Sequence, residues 1–349
     1  MTIFIPLLAT SLLLAGFATS AQAQQPQHNV RVGVVRSVVT VANQLGITKG
    51  YYKEHGINVT VDDLDTSADA MALLAAGQFQ IIEGGLAAGY FNALAKKFPI
   101  VIASDRVLSP NNHKFVVRMD LKDAIKKPAD LKGRIVASNG GPGAITTYEI
   151  GKIVASGGLT LKDIEIKVIP FPQMVIALTN KAVDAAIVIS PFYASMFEKG
   201  IAHELIDPED VIEKGPFGSA VVFINTDWAA KNPELVKNYF LAYMRGVREY
   251  CQAYHHGPNR AEIVELANKS GIEKRAEVLE KLPWPARSPY GKASIDNILD
   301  VQDWFHAQGS IQQKFPAAQL VDSTYADYAS AKLGAYEVAN KDSQLKGCR

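Results

Sequence analysis

Net charge is what this chain most clearly lacks: 36 lysines and arginines stand against 35 aspartates and glutamates in 349 residues. Without a basic surplus there is no reason to expect a nucleic acid or an anionic membrane surface as partner. Catalytic signatures are as scarce. There is no Gly-Lys-Ser/Thr phosphate loop, no G-x-G-x-x-G fingerprint, no nucleophile elbow, no metal-ligand spacing and no paired-carboxylate motif. These absences predict a chain that is not an enzyme and holds no metal and no cofactor. Cysteine occurs twice, as Cys251 and Cys348. In an oxidising compartment the two either pair and pin the C-terminal tail, or remain a buried small hydrophobe and a disordered thiol.

Lysine and arginine are also missing ahead of Arg31. Residues 3–17 form an apolar run ending in small residues, and Ala21-Gln22-Ala23 fits the A-x-A cleavage pattern, so a secretory signal over 1–23 is expected. The run is too short to span a bilayer. Its positive n-region is absent, so either the true start lies upstream or the signal is an unusual one. No cysteine adjoins the cleavage site, so the mature chain is expected without a lipid anchor, soluble and in the periplasm.

What is present is ordinary globular material, 48% hydrophobic and 20% charged, enough for two lobes of domain size. Its most informative feature is a near-repeat. Residues 131–205 read as strand (134–138), glycine-rich turn (139–143), helix (144–156), Gly-Gly stop, strand (164–169), helix (173–180) and strand (184–190). β-Branched runs alternating with helices at this spacing form β-α-β units of a parallel sheet. Residues 50–85 repeat the order, and Leu74 to Gln80 superposes on Leu178 to Asp184 without a gap. Two α/β lobes of one kind imply a cleft faced by strand ends and helix N-termini from both.

In chain order, strands are expected over 30–35, 58–62, 79–83, 100–104, 114–119 and 219–224, and helices over 41–55, 68–76, 87–96, 295–307 and 325–335. A long helix opens at Asn232-Pro233 with Tyr239, Phe240 and Tyr243 on its core stripe, and His255-His256 is expected at its solvated end. The loop 282–291, with three prolines, carries Trp284, Arg287 and Tyr290 and either edges the cleft or packs on the first lobe. The polar C-terminal tail is expected disordered.

The segment Ser138 to Thr146, SNGGPGAIT, is the foremost site candidate from the residues themselves. A strand ending in Ser138, three glycines and a helix starting near Ala144 bring unpaired amides and the positive helix end to one spot, which holds an anion without a lysine. The alternative is an ordinary β-α turn. Glycines after the strand 79–83 likewise either admit a ligand to the backbone or let the next helix pack closely.

These patterns resemble the periplasmic substrate-binding proteins of nitrate/sulfonate/taurine ABC importers, a group that also includes thiamine-precursor-binding proteins. The likeness rests on residues 50–57 (GYYKEHGI), 72–80, Leu131-Lys132-Gly133-Arg134, Val183-Asp184-Ala185-Ala186 and Ser190-Pro191-Phe192-Tyr193, and covers Val30 to about Gly246. Gln80 and Lys181 depart from it, standing where the family usually has Asp and Gly. The resemblance implies a two-lobed type II binding-protein fold: a first lobe from 28–108 and 216–349, a second from 113–212, and hinges near 105–113 and 212–219. It implies a cleft lined by Arg36, Ser37, Gly84, Gly85, Ser138, Asn139, Gly141, Gly143, Ala144, Ile145, Thr146, Ser190, Phe192, Tyr193 and Phe217. Arg36 either presents its fork to an anion or caps a surface turn. The implied function is capture of a small organic anion, sulfonate or carboxylate, by a monomer that delivers it to an ABC permease. An enzyme on the same scaffold is the alternative, since a cysteine-dependent aromatic sulfinate desulfinase and iron-dependent thiamine-pyrimidine synthases share it, but the first lobe has no cysteine up to the second crossover.

Overall fold

The computed structural model describes residues 28–67, 70–213 and 215–349; the expected signal over 1–23, the start of the helix expected over 68–76, and Lys214 lie outside them. Ten strands build two five-stranded sheets: β1 (His28–Val34), β2 (Ile57–Asp63), β3 (Ile81–Gly85), β4 (Ile100–Val107), β5 (Lys114–Arg118), β6 (Ile135–Ser138), β7 (Glu165–Val168), β8 (Ala185–Val188), β9 (Ala202–Ile206) and β10 (Ala220–Asn225). The orders are β2-β1-β3-β10-β4 and β7-β6-β8-β5-β9. In each sheet one strand, β10 or β5, runs antiparallel to both neighbours. The expected parallel pairing holds for β1 with β2 and β3, and for β6 with β7 and β8.

The two sheets repeat one plan down to single hydrogen bonds. Asp184 Oδ2 accepts from the Ile135 amide at 3.1 Å, and in the first sheet Gln80 Oε1 accepts from the Arg31 amide at 2.8 Å. Gln80 therefore makes the bond that a carboxylate makes in the second sheet. Gly77 and Lys181, three residues earlier in each unit's turn, both adopt positive φ (74° and 58°). Lysine there carries the left-handed strain a glycine avoids.

Successive residues of the strands face opposite sides of each sheet, as period two requires, and both sides are buried. Val30, Val32, Val34, Val222 and Ile224 face one apolar cluster with the helices Val41–Thr48 and Pro233–Tyr254, while Ile82, Ile102, Val221 and Phe223 face another with Ala88–Ala95 and Ile295–Ala307. The second sheet divides likewise, Val116, Ala186 and Val188 against Phe115, Val117, Ala185 and Ile187. The chain crosses between sheets through residues 108–113 and 207–219.

Several expectations need correction. β4 extends to Val107, so Asp105 and Arg106 lie in a strand rather than a hinge. The helix expected over 41–55 ends at Thr48 and resumes as a single turn, Lys53–His55, because Gly50 at φ 76° breaks it. The helix Phe192–Glu198 and strand β9 had no expected counterpart. The C-terminal tail is ordered: His255 is buried and its Nε2 donates to the Gly347 carbonyl at 3.1 Å, while Cys348 is 1% exposed. Cys251 and Cys348 are neighbouring buried free thiols. The proline-rich loop packs on the first sheet, with Trp284 stacked on Tyr250 (5.4 Å) and the Arg287 fork bonded to the Asp105 carbonyl (3.0 Å) and Tyr243 hydroxyl (2.8 Å).

The helices Val41–Thr48 and Pro233–Tyr254 approach so closely that a Cβ on Gly246 would lie 2.0 Å from the Ala42 carbonyl oxygen. Gly246→Ala should therefore cost roughly 1–3 kcal/mol, seen as a lower urea midpoint with an unchanged slope. An unchanged midpoint would mean the helices do not pack this tightly.

Candidate functional site

Loops at the strand ends of both sheets enclose a cleft of about 650 Å³, counting the part that opens to solvent. The first sheet contributes Val35 and Ser37 after β1, Thr66 and Ser67 after β2, Gly85 and Ala87 around the end of β3, Arg106 and Val107 of β4, and Ser219 and Ala220 at the start of β10. The second contributes Asn139 and Ala144 to Thr146, Phe171, and Ile189 and Ser190. Asn111 and His113 enter from the first crossover and Pro285 from the proline-rich loop.

Seven of the expected site residues meet there: Ser37, Gly85, Asn139, Ala144, Ile145, Thr146 and Ser190. Arg36 and Phe192 lie together at an adjoining depression at the mouth. The Arg36 fork is committed to Asp63 (2.9 and 2.7 Å) and to the Ser270 carbonyl (2.5 Å), and so ties the turn after β1 to two distant segments. Ser138 is fully buried and bonds to Thr146 Oγ1 at 2.7 Å, bracing the turn from behind. Tyr193 and Phe217 sit in apolar clusters, Phe217 stacked on Tyr148.

The glycines serve the approach of the two halves more than they serve an open pocket. A Cβ on Gly85 would lie 2.9 Å from Ile145 Cγ2, and one on Gly143 would lie 2.9 Å from Ala88 Cβ. The Ala88 amide, at the start of its helix, donates to the Gly143 carbonyl at 2.8 Å. Gly84 is crowded by Ser67, within its own half. Only Gly141 of these has open space where a side chain would be. On the far side Tyr148 donates to Asp300 at 2.6 Å and Lys152 pairs with the same carboxylate at 3.0 Å. The cleft is thus drawn shut along one flank.

The helix Ile145–Ser156 starts at Ala144, which has extended backbone and no side-chain cap. The Thr147 and Tyr148 amides turn back to the Ala144 carbonyl. Among the described residues the Ile145 and Thr146 amides have no such partner, and both residues lie at the cleft wall.

Sequence reasoning missed the residues that charge the cleft. Arg106, 3% exposed, pairs through Nε with Glu83 Oε2 at 3.2 Å and through Nη2 with the Val35 carbonyl (2.7 Å) and Thr40 Oγ1 (3.0 Å). Burial lowers its pKa, and Glu83 opposes that shift. His113 Nδ1 lies 2.7 Å from Glu149 Oε1, and the Asn111 side chain accepts from the His113 amide at 2.9 Å. Burial would lower the His113 pKa, but the Glu149 charge and hydrogen bond outweigh it and the net shift is upward. Among the described residues the Ser219 hydroxyl is buried without a partner, and the Ser190 and Tyr193 hydroxyls are buried side by side. An arginine inside the apolar run IVIASDRV was the one sequence signal for Arg106. Among the described residues no aspartate, glutamate or cysteine lines the cleft, and no group of three or more His, Cys, Asp or Glu is placed to hold a metal.

A family model described as "NMT1/THI5 like" matches residues 41–256. The alkanesulfonate-binding protein SsuA from Xanthomonas axonopodis pv. citri, bound to MOPS, superimposes with a TM-score of 0.67 at 17% identity over 85% of this chain and 99% of its own. The periplasmic nitrate-binding protein NrtA from Synechocystis PCC 6803 gives 0.72 at 15% identity, over 88% and 89%. The desulfurization enzyme DSZB gives 0.59 at 14%, over 87% and 100%. At such identities the likeness is one of fold: this is the periplasmic binding protein fold. Comparison with curated proteins yields no match.

Because Gly85 and Gly143 carry the contact between the halves, Gly85→Val and Gly143→Val should wedge the cleft. Small-angle scattering should show a larger radius of gyration for both than for the unaltered chain, and an unchanged radius would remove these contacts from the closure.

Proposed function

Since the chain belongs to the NMT1/THI5-like family, we propose that it is the periplasmic solute-binding component of an ABC importer, capturing a small organic anion in the cleft and delivering it to an inner-membrane permease. One observation carries the anion: the described lining holds Arg106, His113, unpartnered hydroxyls and two free helix amides, and no carboxylate. A cationic ligand would be desolvated there with no carboxylate among the described lining to meet it, whereas a carboxylate or sulfonate meets a guanidinium, hydroxyls and helix amides able to donate to it. The apolar walls, Val35, Val107, Ile145, Phe171, Ile189 and Pro285, suit an aliphatic or aromatic body. The alkanesulfonate- and nitrate-binding proteins of the same fold are read in the same direction. Residues 108–113 and 207–219, the two passages between the sheets among the described residues, act as hinges, opening the flank sealed by Tyr148, Asp300 and the two glycines.

Binding rather than catalysis is supported by the place of the thiols. Cys251 is fully buried, outside the cleft lining, and burial pushes its pKa well up, which suppresses the thiolate a nucleophile needs.

Protein unfolded and refolded to strip carried-over ligand, then screened by thermal shift against alkyl and aryl sulfonates, nitrate, aromatic carboxylates and pyrimidines, should be stabilised by one anionic class. At about a hundred times the dissociation constant the gain is roughly 2.7 kcal/mol. Stabilisation by cations alone, or turnover of a compound without stabilisation, would sink this reading.

A further inference from the structure

The His113–Glu149 pair stands out among the buried titratable groups because it joins the crossover to the second sheet's helix and still faces the cleft. Glu149 lies on the helix Ile145–Ser156 whose free amides border the same space. A carboxylate only accepts hydrogen bonds, so at 2.7 Å from Glu149 Oε1 the proton sits on His113 Nδ1. His113 lines the cleft, and with Nδ1 taken by Glu149 its remaining nitrogen, Nε2, has no protein partner among the described residues and is the one left for a ligand.

One further proton therefore decides what His113 offers. With it, Nε2–H donates; without it, Nε2 turns a lone pair toward the ligand. We propose that His113 is the specificity-determining residue of the cleft, and that an anionic ligand binds together with a proton held at its Nε2. This rests on the solute-binding reading above and adds to it which residue senses ligand charge.

The surroundings agree. Facing the ring are Glu149 from the helix, Glu209 and Asp207 from the second crossover, and the neutral Asn111, whose Nδ2 points to Glu149 Oε1 at 3.4 Å. Lys114, next in the chain, is occupied by Glu204 (2.8 Å) and Asp207 (3.0 Å), and Arg106 is compensated by Glu83. Carboxylates thus outnumber free cations around the ring, which favours the imidazolium although the site is buried; the upward pKa shift has the same sign. An incoming anion pulls further in that direction, so binding takes up a proton.

The test is calorimetric titration of the full chain with benzoate, methanesulfonate and nitrate between about pH 5 and pH 9. All three are ionised throughout most of that range, so a pH effect reports the protein. Affinity should be flat below the free His113 pKa and fall by about tenfold per pH unit above it, levelling off above the pKa of the complex. Proton uptake, measured in buffers of different ionisation enthalpy, should rise over the same interval. Glu149→Gln should move the fall to lower pH, and His113→Gln should flatten it while leaving weaker binding. If both variants fail to fold, the native pH profile and the tautomer in nitrogen NMR of the histidine ring decide. Anion binding with a pH-independent affinity, or an Nε2–H tautomer in the neutral ring, overturns the inference and leaves the receptor reading standing. Failure of every anion while a pyrimidine binds overturns the inference and the anion class together, and no binding by any probe sinks the receptor reading as well.

Discussion

The buried ion pair of Glu83 and Arg106 is the constraint on which the cleft depends. Glu83 is fully buried at the centre of β3 and Arg106 lies near the end of β4, two strands away across β10. Around the pair gather the Val35 carbonyl, Thr40 and Asn43, whose Nδ2 donates to Glu83 Oε1 at 2.7 Å. The first β-α turn, the helix after it and the floor of the cleft are thus held by one charged network. Losing either partner alone leaves an uncompensated buried charge, a loss of about 3–5 kcal/mol. A pair so placed is a poor source of net stability and a strong source of position, since moving either strand would leave a buried charge without its partner.

Around this floor the two halves meet through residues chosen for what they lack. Gly85 and Gly143 present no side chain, so Ile145 and Ala88 occupy the space and the Ala88 amide reaches the Gly143 carbonyl. The contact is made of backbone and small apolar groups, with Tyr148, Lys152 and Asp300 beyond it. Interfaces of this kind are modest in energy, which suits a closure that a ligand has to tip. The donors that a ligand would meet come from separate elements: β4, the crossover, the helix at Ile145 and the ends of β8 and β10. A ligand that satisfies them bridges both halves.

The repeated unit was legible because its signals are local. The apolar β-branched run of β1, the glycine stop at Gly56 and the aromatic core stripe of the helix Pro233–Tyr254 follow from neighbours a few residues apart. The Gln80 departure turned out to keep the hydrogen bond of its counterpart Asp184. The tail and His255 were misjudged because polar composition says nothing of a partner 92 residues away, the Gly347 carbonyl. Arg36 reads identically in sequence whether it faces a ligand or Asp63, 27 residues on.

By itself the sequence determined the α/β alternation, the doubled β-α-β unit, the crossovers near their observed places and the glycine-rich turn with its uncapped helix. Each is written in short-range periodicity and backbone preference. Only the tertiary structure decided which side chains make the cleft chemical. Arg106 and His113 acquire their meaning from Glu83 and Glu149, 23 and 36 residues away. Those pairs exist because β10 and β5 insert antiparallel into their sheets and bring distant strand ends to one floor. Charge and burial at such a site are properties of the assembled neighbourhood, and no local pattern carries them.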